Sequence, residues 1–228
     1  MRFVLPLVLF ALHSAGFSQE ARTVECRFLG FGTNESTTSA LTVADNGADI
    51  TCPLPTTQLS PKVTCYAKGD KIPFLSSDRK PLAVAAIPAG VRSALLVFVR
   101  MPGQADTPQW RIFVIEDSPK NFPDGGAYVA NFYGNDIRFI IGEHKVMLHS
   151  AASGGYPMPK ERDDFNMSPV IFQFANGEKW RTANESALRF LPGTRYLIFA
   201  YVDPVSGRPK ISTYQDQVEQ PAPDTVNR

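Results

Sequence analysis

Two halves of this chain repeat one another in order, about a hundred residues apart. Ser60-Pro-Lys-Val-Thr-Cys-Tyr-Ala-Lys-Gly-Asp-Lys71 aligns with Ser168-Pro-Val-Ile-Phe-Gln-Phe-Ala-Asn-Gly-Glu-Lys179; each is a Ser-Pro entry, an alternating run and a Gly-acidic-Lys turn, and five of the twelve positions are identical. Ala89-Gly-Val-Arg-Ser-Ala-Leu-Leu-Val-Phe-Val99 matches Pro192-Gly-Thr-Arg-Tyr-Leu-Ile-Phe-Ala-Tyr-Val202, with Gly90 over Gly193 and Arg92 over Arg195. A looser match sets Cys26-Arg-Phe-Leu-Gly-Phe-Gly32 over Tyr128-Val-Ala-Asn-Phe-Tyr-Gly134, and the three offsets are 108, 103 and 102. Repetition at this period is the mark of one structural unit present twice. It places Val63–Ala67 and Ile171–Ala175 at equivalent positions.

Each unit reads as β-structure. In the first, strand-like runs cover Val24–Phe31, Ala40–Ala44, Asp49–Leu54, Lys62–Ala67, Leu82–Ile87, Ala94–Met101 and Trp110–Glu116. In the second they cover Tyr128–Tyr133, Ile137–Ile141, Lys145–His149, Val170–Ala175, Ala187–Leu191, Tyr196–Val202 and Pro209–Tyr214. The runs alternate, or are rich in β-branched and aromatic residues, and Gly, Pro, Asn or Asp separate them. Seven short strands in about 100 residues is the pattern of an immunoglobulin-like sandwich. The expectation is an all-β chain of two tandem immunoglobulin-like β-sandwich domains, residues 19–117 and 127–216, related by duplication. A linker, 118–126, carries two prolines and two glycines. It is short, and Phe122 is placed to dock it, so little hinge motion is expected. A polar tail, 217–228, follows.

Residues 1–18 read as a signal peptide. Arg2 supplies the positive start, Phe3–Leu12 the apolar run, and Gly16 and Ser18 the small residues before a cut at Gln19. Ten apolar residues reach only about 15 Å as a helix, half of a bilayer core, and no later stretch is long enough to span one. The expected location is therefore outside the cytoplasm, in the periplasm or beyond, with no membrane span in the mature chain. Lys+Arg number 23 and Asp+Glu 22, so no basic field exists to hold nucleic acid. Three cysteines, Cys26, Cys52 and Cys65, would meet an oxidising compartment, where one disulfide among them is expected and sequence leaves the pairing open. Their spacing holds no Cys-x-x-Cys, so no metal cluster is expected.

The block Phe113-Val-Ile-Glu-Asp-Ser-Pro-Lys-Asn-Phe-Pro-Asp-Gly-Gly-Ala-Tyr-Val-Ala-Asn-Phe132 joins the two units. It resembles exported bacterial proteins in which a strand ending Glu-Asp-Ser leads through Phe-Pro-x-Gly to an aromatic-rich strand ending in Asn-Phe or Asn-Leu. That resemblance implies an exported protein of two β-domains and implies no activity.

Catalytic chemistry finds little footing. After signal cleavage only His144 and His149 remain, neither near a Gly-x-Ser-x-Gly elbow or a cysteine. The carboxylate candidates, Asp163-Asp164, Glu116-Asp117 and Asp216 with Glu219, lie in loops or at strand ends. No phosphate-binding glycine loop, dinucleotide fingerprint or acidic calcium loop occurs, so no cofactor is expected. The second unit is distinguished by the long segment Ser150–Asn166. Its aromatic, Met and mixed-charge residues suit protein recognition, and Tyr156, Met158 and Phe165 are the candidate partner contacts. The competing reading pins Tyr156 and Phe165 to the sandwich. The expected function is a non-catalytic binding or structural protein of the cell envelope, its partner an unknown protein or envelope component. The alternative is a periplasmic assembly chaperone, with Arg27 and Arg111 lining a cleft between its domains. A hydrolase without a recognisable motif ranks third.

Overall fold

The computed structural model describes residues 21–32, 38–101 and 109–218. The signal peptide, its cleavage point and most of the expected tail lie outside them. The described residues hold sixteen strands and no helix. The first half runs β1 (Ala21–Phe31), β2 (Ser39–Val43), β3 (Asp49–Pro53), β4 (Val63–Lys68), β5 (Lys71–Leu75), β6 (Pro81–Ala86), β7 (Ser93–Met101) and β8 (Gln109–Glu116). The second runs β9 (Ala127–Asn131), β10 (Ile137–Ile141), β11 (His144–Leu148), β12 (Ser153–Tyr156), β13 (Met167–Asn176), β14 (Lys179–Arg189), β15 (Thr194–Val202) and β16 (Pro209–Gln217).

The two halves share one pairing scheme. β1 lies between β4 (antiparallel) and β7 (parallel), and β7 carries β8; likewise β9 lies between β12 (antiparallel) and β15 (parallel), and β15 carries β16. The hairpin β2–β3 joins β5, which carries β6, as the hairpin β10–β11 joins β13, which carries β14. One difference stands out. In the first half the tight turn Lys68–Lys71 links β4 to β5 and merges both groups into a single folded-over sheet. In each half the groups enclose a core: Phe28, Phe74 and Phe98 meet edge to face in the first, and Phe139 stacks on Phe172 in the second. The fold is thus all-β and sandwich-like, with several sheets.

A third apolar layer joins the halves. The outward faces of β1, β7 and β8 (Leu29, Phe31, Leu95, Val97, Ile115) pack on those of β9 and β15 (Tyr128, Ala130, Leu197, Phe199), with Phe122 of the connection beside them. Phe31 lies 5.1 Å from Phe199 and 5.8 Å from Phe132, ring centre to ring centre. Both inner groups are therefore covered on two sides, which is why β9 is buried at every position while β10 alternates. Charges lock one end of this layer. The Asp216 carboxylate takes Arg27 at 2.8 Å and Arg195 at 2.9 Å, and Arg195 reaches on to Asp117 at 2.7 Å. Arg195 also lies 4.0 Å above the Phe122 ring and donates to the Phe122 carbonyl. Asp216 is 3% exposed and Arg195 6%, so removing one partner strands a buried charge.

Three sequence expectations change here. The Ser-Pro runs are not equivalent: β4 pairs with β1, whereas β13 pairs with β10 and β14, so the counterpart of β4 is β12. The other two matches name the right strands but slip by one residue. Their offsets set Leu95, which faces the other half, over Ile198, which faces its own core. A slip of one residue turns every side chain to the opposite face. Faces and ladders agree when Ala94 is set on Tyr196, Cys26 on Ala127 and Phe31 on Phe132. The strand count also rises from seven to eight in each half through β5 and β12.

Candidate functional site

The segment Ser150–Asn166 is a clasp along much of its length. Ser153–Tyr156 forms β12 and pairs with β9, from Ser153 opposite Ala130 to Tyr156 opposite Ala127. Gly154-Gly155 serves close approach: a Cβ on Gly155 would stand 2.0 Å from the Asn121 carbonyl oxygen. Tyr156 sets its ring edge-on to Phe139 at 5.1 Å, and Met158 packs on the same core. His144 Nε2 donates to the Pro157 carbonyl at 3.0 Å. The Lys160 and Glu161 amides donate to the Glu143 carboxylate at 2.9–3.1 Å, and these bonds, Lys160 first, hold Glu143 down at about 2. Asp163 Oδ1 accepts the amides of Phe165 and Met167 at 2.9 and 2.8 Å. Of the three candidate contacts, Tyr156 and Met158 are drawn into packing and Phe165 remains 68% exposed.

Several of the charged candidates are engaged individually, and Glu219 lies outside the described residues. Glu116 accepts from Asn121 at 2.8 Å, Asp117 and Asp216 belong to the arginine lock, and His149 pairs with Asp136 at 3.1 Å on the surface. Among the described residues no three His, Cys, Asp or Glu side chains are placed to hold a metal ion. The three cysteines are free and buried. Arg27 is bound to Asp216, and its Nε donates to the Ser60 carbonyl at 3.0 Å. Arg111 is exposed on β8, four residues along the sheet from the level of Arg27. The two arginines share a sheet face, but Phe31, Phe132 and Phe199 fill the space between the halves.

The motif behind the family resemblance falls at the joint. Asp117 holds Arg195, Phe122 lies beneath that arginine, and Phe132 packs against Phe31 and Phe113. Asn131 is fully buried; its Nδ2 donates to the carbonyls of Asn135, Leu148 and His149, and its Oδ1 accepts the Tyr133 amide. One side chain thereby fixes the end of β9 to the loop after β11 and satisfies backbone groups that burial would otherwise leave bare.

Sequence reasoning did not single out the outer face of β11-β10-β13-β14. There Arg138, Ile140, Lys145, Met147, Ile171 and Gln173 border a shallow groove of about 440 Å³. Arg138 lies 4.6 Å above the Trp180 ring and donates from Nε to the Gln173 amide oxygen, and Gln173 in turn donates to Thr182 at 3.1 Å. Met147 is 56% exposed. Phe165 stands at one end of the same sheet, its carbonyl accepting from Arg189 at 2.9 Å. Trp, Met and Arg are the residue types enriched at protein contact surfaces. The sequence signal was the hairpin Arg138-Phe-Ile140 and Lys145-Val-Met147, where strict alternation turns one apolar or basic residue after another to the same side. Among the described residues no helix is long and apolar enough to cross a membrane. No protein-family model matches this chain, and no curated protein matches it significantly.

Proposed function

We propose that this chain is an exported, non-catalytic binding or structural protein of the cell envelope, and that the outer face of β11-β10-β13-β14 is its contact surface. The observation that carries this reading is the Arg138–Trp180 stack beside exposed Met147, on a sheet face that packs against no other strand among the described residues. We infer further that the halves are two immunoglobulin-like β-sandwiches, bounded near residues 117 and 127 and related by duplication. The shared pairing scheme supports this, and so does the contact between the corresponding residues Phe31 and Phe132. Export rests on the apolar run Phe3–Leu12 and the small residues before Gln19, and predicts a mature chain beginning at Gln19.

The assembly-chaperone alternative asks for free arginines in a cleft, and the bond between Arg27 and Asp216 weighs against it. A pull-down from envelope extract with wild type and with Trp180→Ala and Met147→Ala compares the readings. A component held by wild type and lost by both variants at unchanged melting temperature is the expected result. Equal capture by all three proteins overturns the assigned face. An intact Met1 on cytoplasmic protein overturns export.

A further inference from the structure

One row of the outer sheet is complementary to itself. Lys145 of β11 stands opposite Ile140 of β10, Ile140 opposite Ile171 of β13, and Ile171 opposite Glu185 of β14. All four side chains point away from the core; Ile140 and Ile171 are half-buried, and Lys145 and Glu185 are exposed. The row is thus a cation, two aliphatic residues and a carboxylate. Neighbouring strands lie about 4.8 Å apart, so Lys145 and Glu185 are about 14 Å from one another, too far to pair within one molecule. Neither has a hydrogen bond or an ion pair among the described residues.

A two-fold axis running along the strands, between β10 and β13, lays a second copy's β11 over β14 and its β10 over β13. Each Lys145 then faces the Glu185 of the other copy, and each Ile140 lies on the other's Ile171, so every contact is made twice. Stacked sheets pack about 10 Å apart, a gap that a Lys and a Glu side chain close from opposite sides. The next row agrees. Met147, Arg138, Gln173 and Thr182 stand level with one another, so each Arg138 lies over Gln173 of the second copy, polar on polar. An axis across the strands would instead set β11 over β11, a strand without a carboxylate. The apolar floor continues along β13 through Pro169 and Met167, which line an adjoining groove of about 540 Å³.

We propose that this chain pairs with a second copy of itself, outer sheet on outer sheet, about a two-fold axis parallel to the strands, with Lys145 and Glu185 joined across the interface at two symmetric places. This pairing rests on the reading of the outer face as the contact surface, and names what covers it. The size of the face sets the strength. Four strands, the third of them ten residues long, present roughly 500 Å² per copy and about 1,000 Å² in all, at the low end of specific interfaces. The dimer is therefore weak, in the micromolar range, and its exposed ion pairs make it weaker in high salt.

Sedimentation equilibrium of the chain from Gln19, over a concentration series at low salt, reads the association. Wild type is expected to pass from monomer to dimer. Lys145→Glu sets Glu against Glu185, and Glu185→Lys sets Lys against Lys145, so each variant alone is expected to dimerise about tenfold more weakly or worse. Mixed together, the two are expected to pair again, because every charged contact in the mixed dimer is Lys on Glu. The double variant, which reverses the row, is expected to dimerise as wild type does. Both positions are exposed, and an unchanged melting temperature shows that each variant is folded. Single variants that dimerise as wild type does place the interface on another surface, and single variants that stay apart when mixed do not join Lys145 to Glu185; either result overturns the proposal. So does wild type that stays monomeric throughout the series. The pull-down then decides the wider reading. A different envelope component, held by the monomer and lost with Trp180→Ala and Met147→Ala, keeps the contact face and replaces the second copy; equal capture by all three proteins removes the face as well.

Discussion

The inner and outer sheets of this molecule are built from strands of different character. β7 and β15, which lie inside, are buried at successive positions from Ala94 to Phe98 and from Arg195 to Ala200. β10 and β13, which lie outside, alternate between core and solvent. A strand covered on both faces has no side to give to polar residues, so its sequence loses the period of two. Each half taken alone would have its inner group half solvated and would show alternation throughout. The continuous runs Ala94-Leu-Leu-Val-Phe-Val99 and Tyr196-Leu-Ile-Phe-Ala-Tyr201 thus record the stacking of one half on the other.

The largest effect is expected where the inner layer is locked. Asp216→Ala leaves Arg27 and Arg195 without their shared partner and should cost about 3–5 kcal/mol. The chain contains two tryptophans, Trp110 in the first half and Trp180 in the second, so each half has its own fluorescent reporter. In urea the two single-tryptophan forms, Trp110→Phe and Trp180→Phe, are expected to unfold together, and Asp216→Ala is expected to lower both midpoints. Separate midpoints in the parent would mean that the inner layer does not couple the halves. Next comes Tyr156→Ala. Its ring leaves β12 to reach Phe139 of the outer sheet and is only part-buried, so a loss of about 2 kcal/mol is expected, read as a lower melting temperature. Unchanged stability would return Tyr156 to the list of partner contacts.

The outer face should respond least. Trp180→Ala and Met147→Ala are expected to change stability by no more than about 0.5 kcal/mol, by the same urea titration. A larger loss would make the face structural. The Glu143 clasp gives a local pH signature. Its carboxyl is held at about 2 in the folded protein, below its ordinary value near 4.5, so its contribution is complete above that ordinary value and is lost as pH falls toward 2. The Lys160 and Glu161 amide resonances should titrate with a midpoint near 2, and Glu143→Gln should abolish that titration.

Much of the strand pattern was legible, and the failures have physical causes. β5 went unread because Pro73 breaks its run; Pro73 is exposed, and its carbonyl accepts from Thr42. β12 went unread because Gly154-Gly155 looks like a loop, although Gly155 admits the backbone of the connection. In the second match the one-residue slip between the halves came from aligning Gly90 with Gly193, two turn glycines at positive φ, when the turns meet their strands one residue apart. The proposed contact face was the least legible part. Arg138, Met147 and Trp180 come from three strands, and only the pairing of β10 with β11 and β13, and of β13 with β14, gathers them on one surface.

Phe31 touches Phe132, the residue that answers to it in the other half. A residue that meets its own counterpart lies near a two-fold axis, as at the centre of an isologous dimer. Under the proposed duplication, an ancestor of half this length would have paired with a second copy through this face, and each contact would have occurred twice. Fusion removes that obligation. Asp117 and Asp216 stand at matching places, each next to the first residues of its neighbouring strand, but Ser93 occupies one of those strand positions and Arg195 the other. A single arginine now serves both aspartates, an asymmetry that no pair of identical chains can encode.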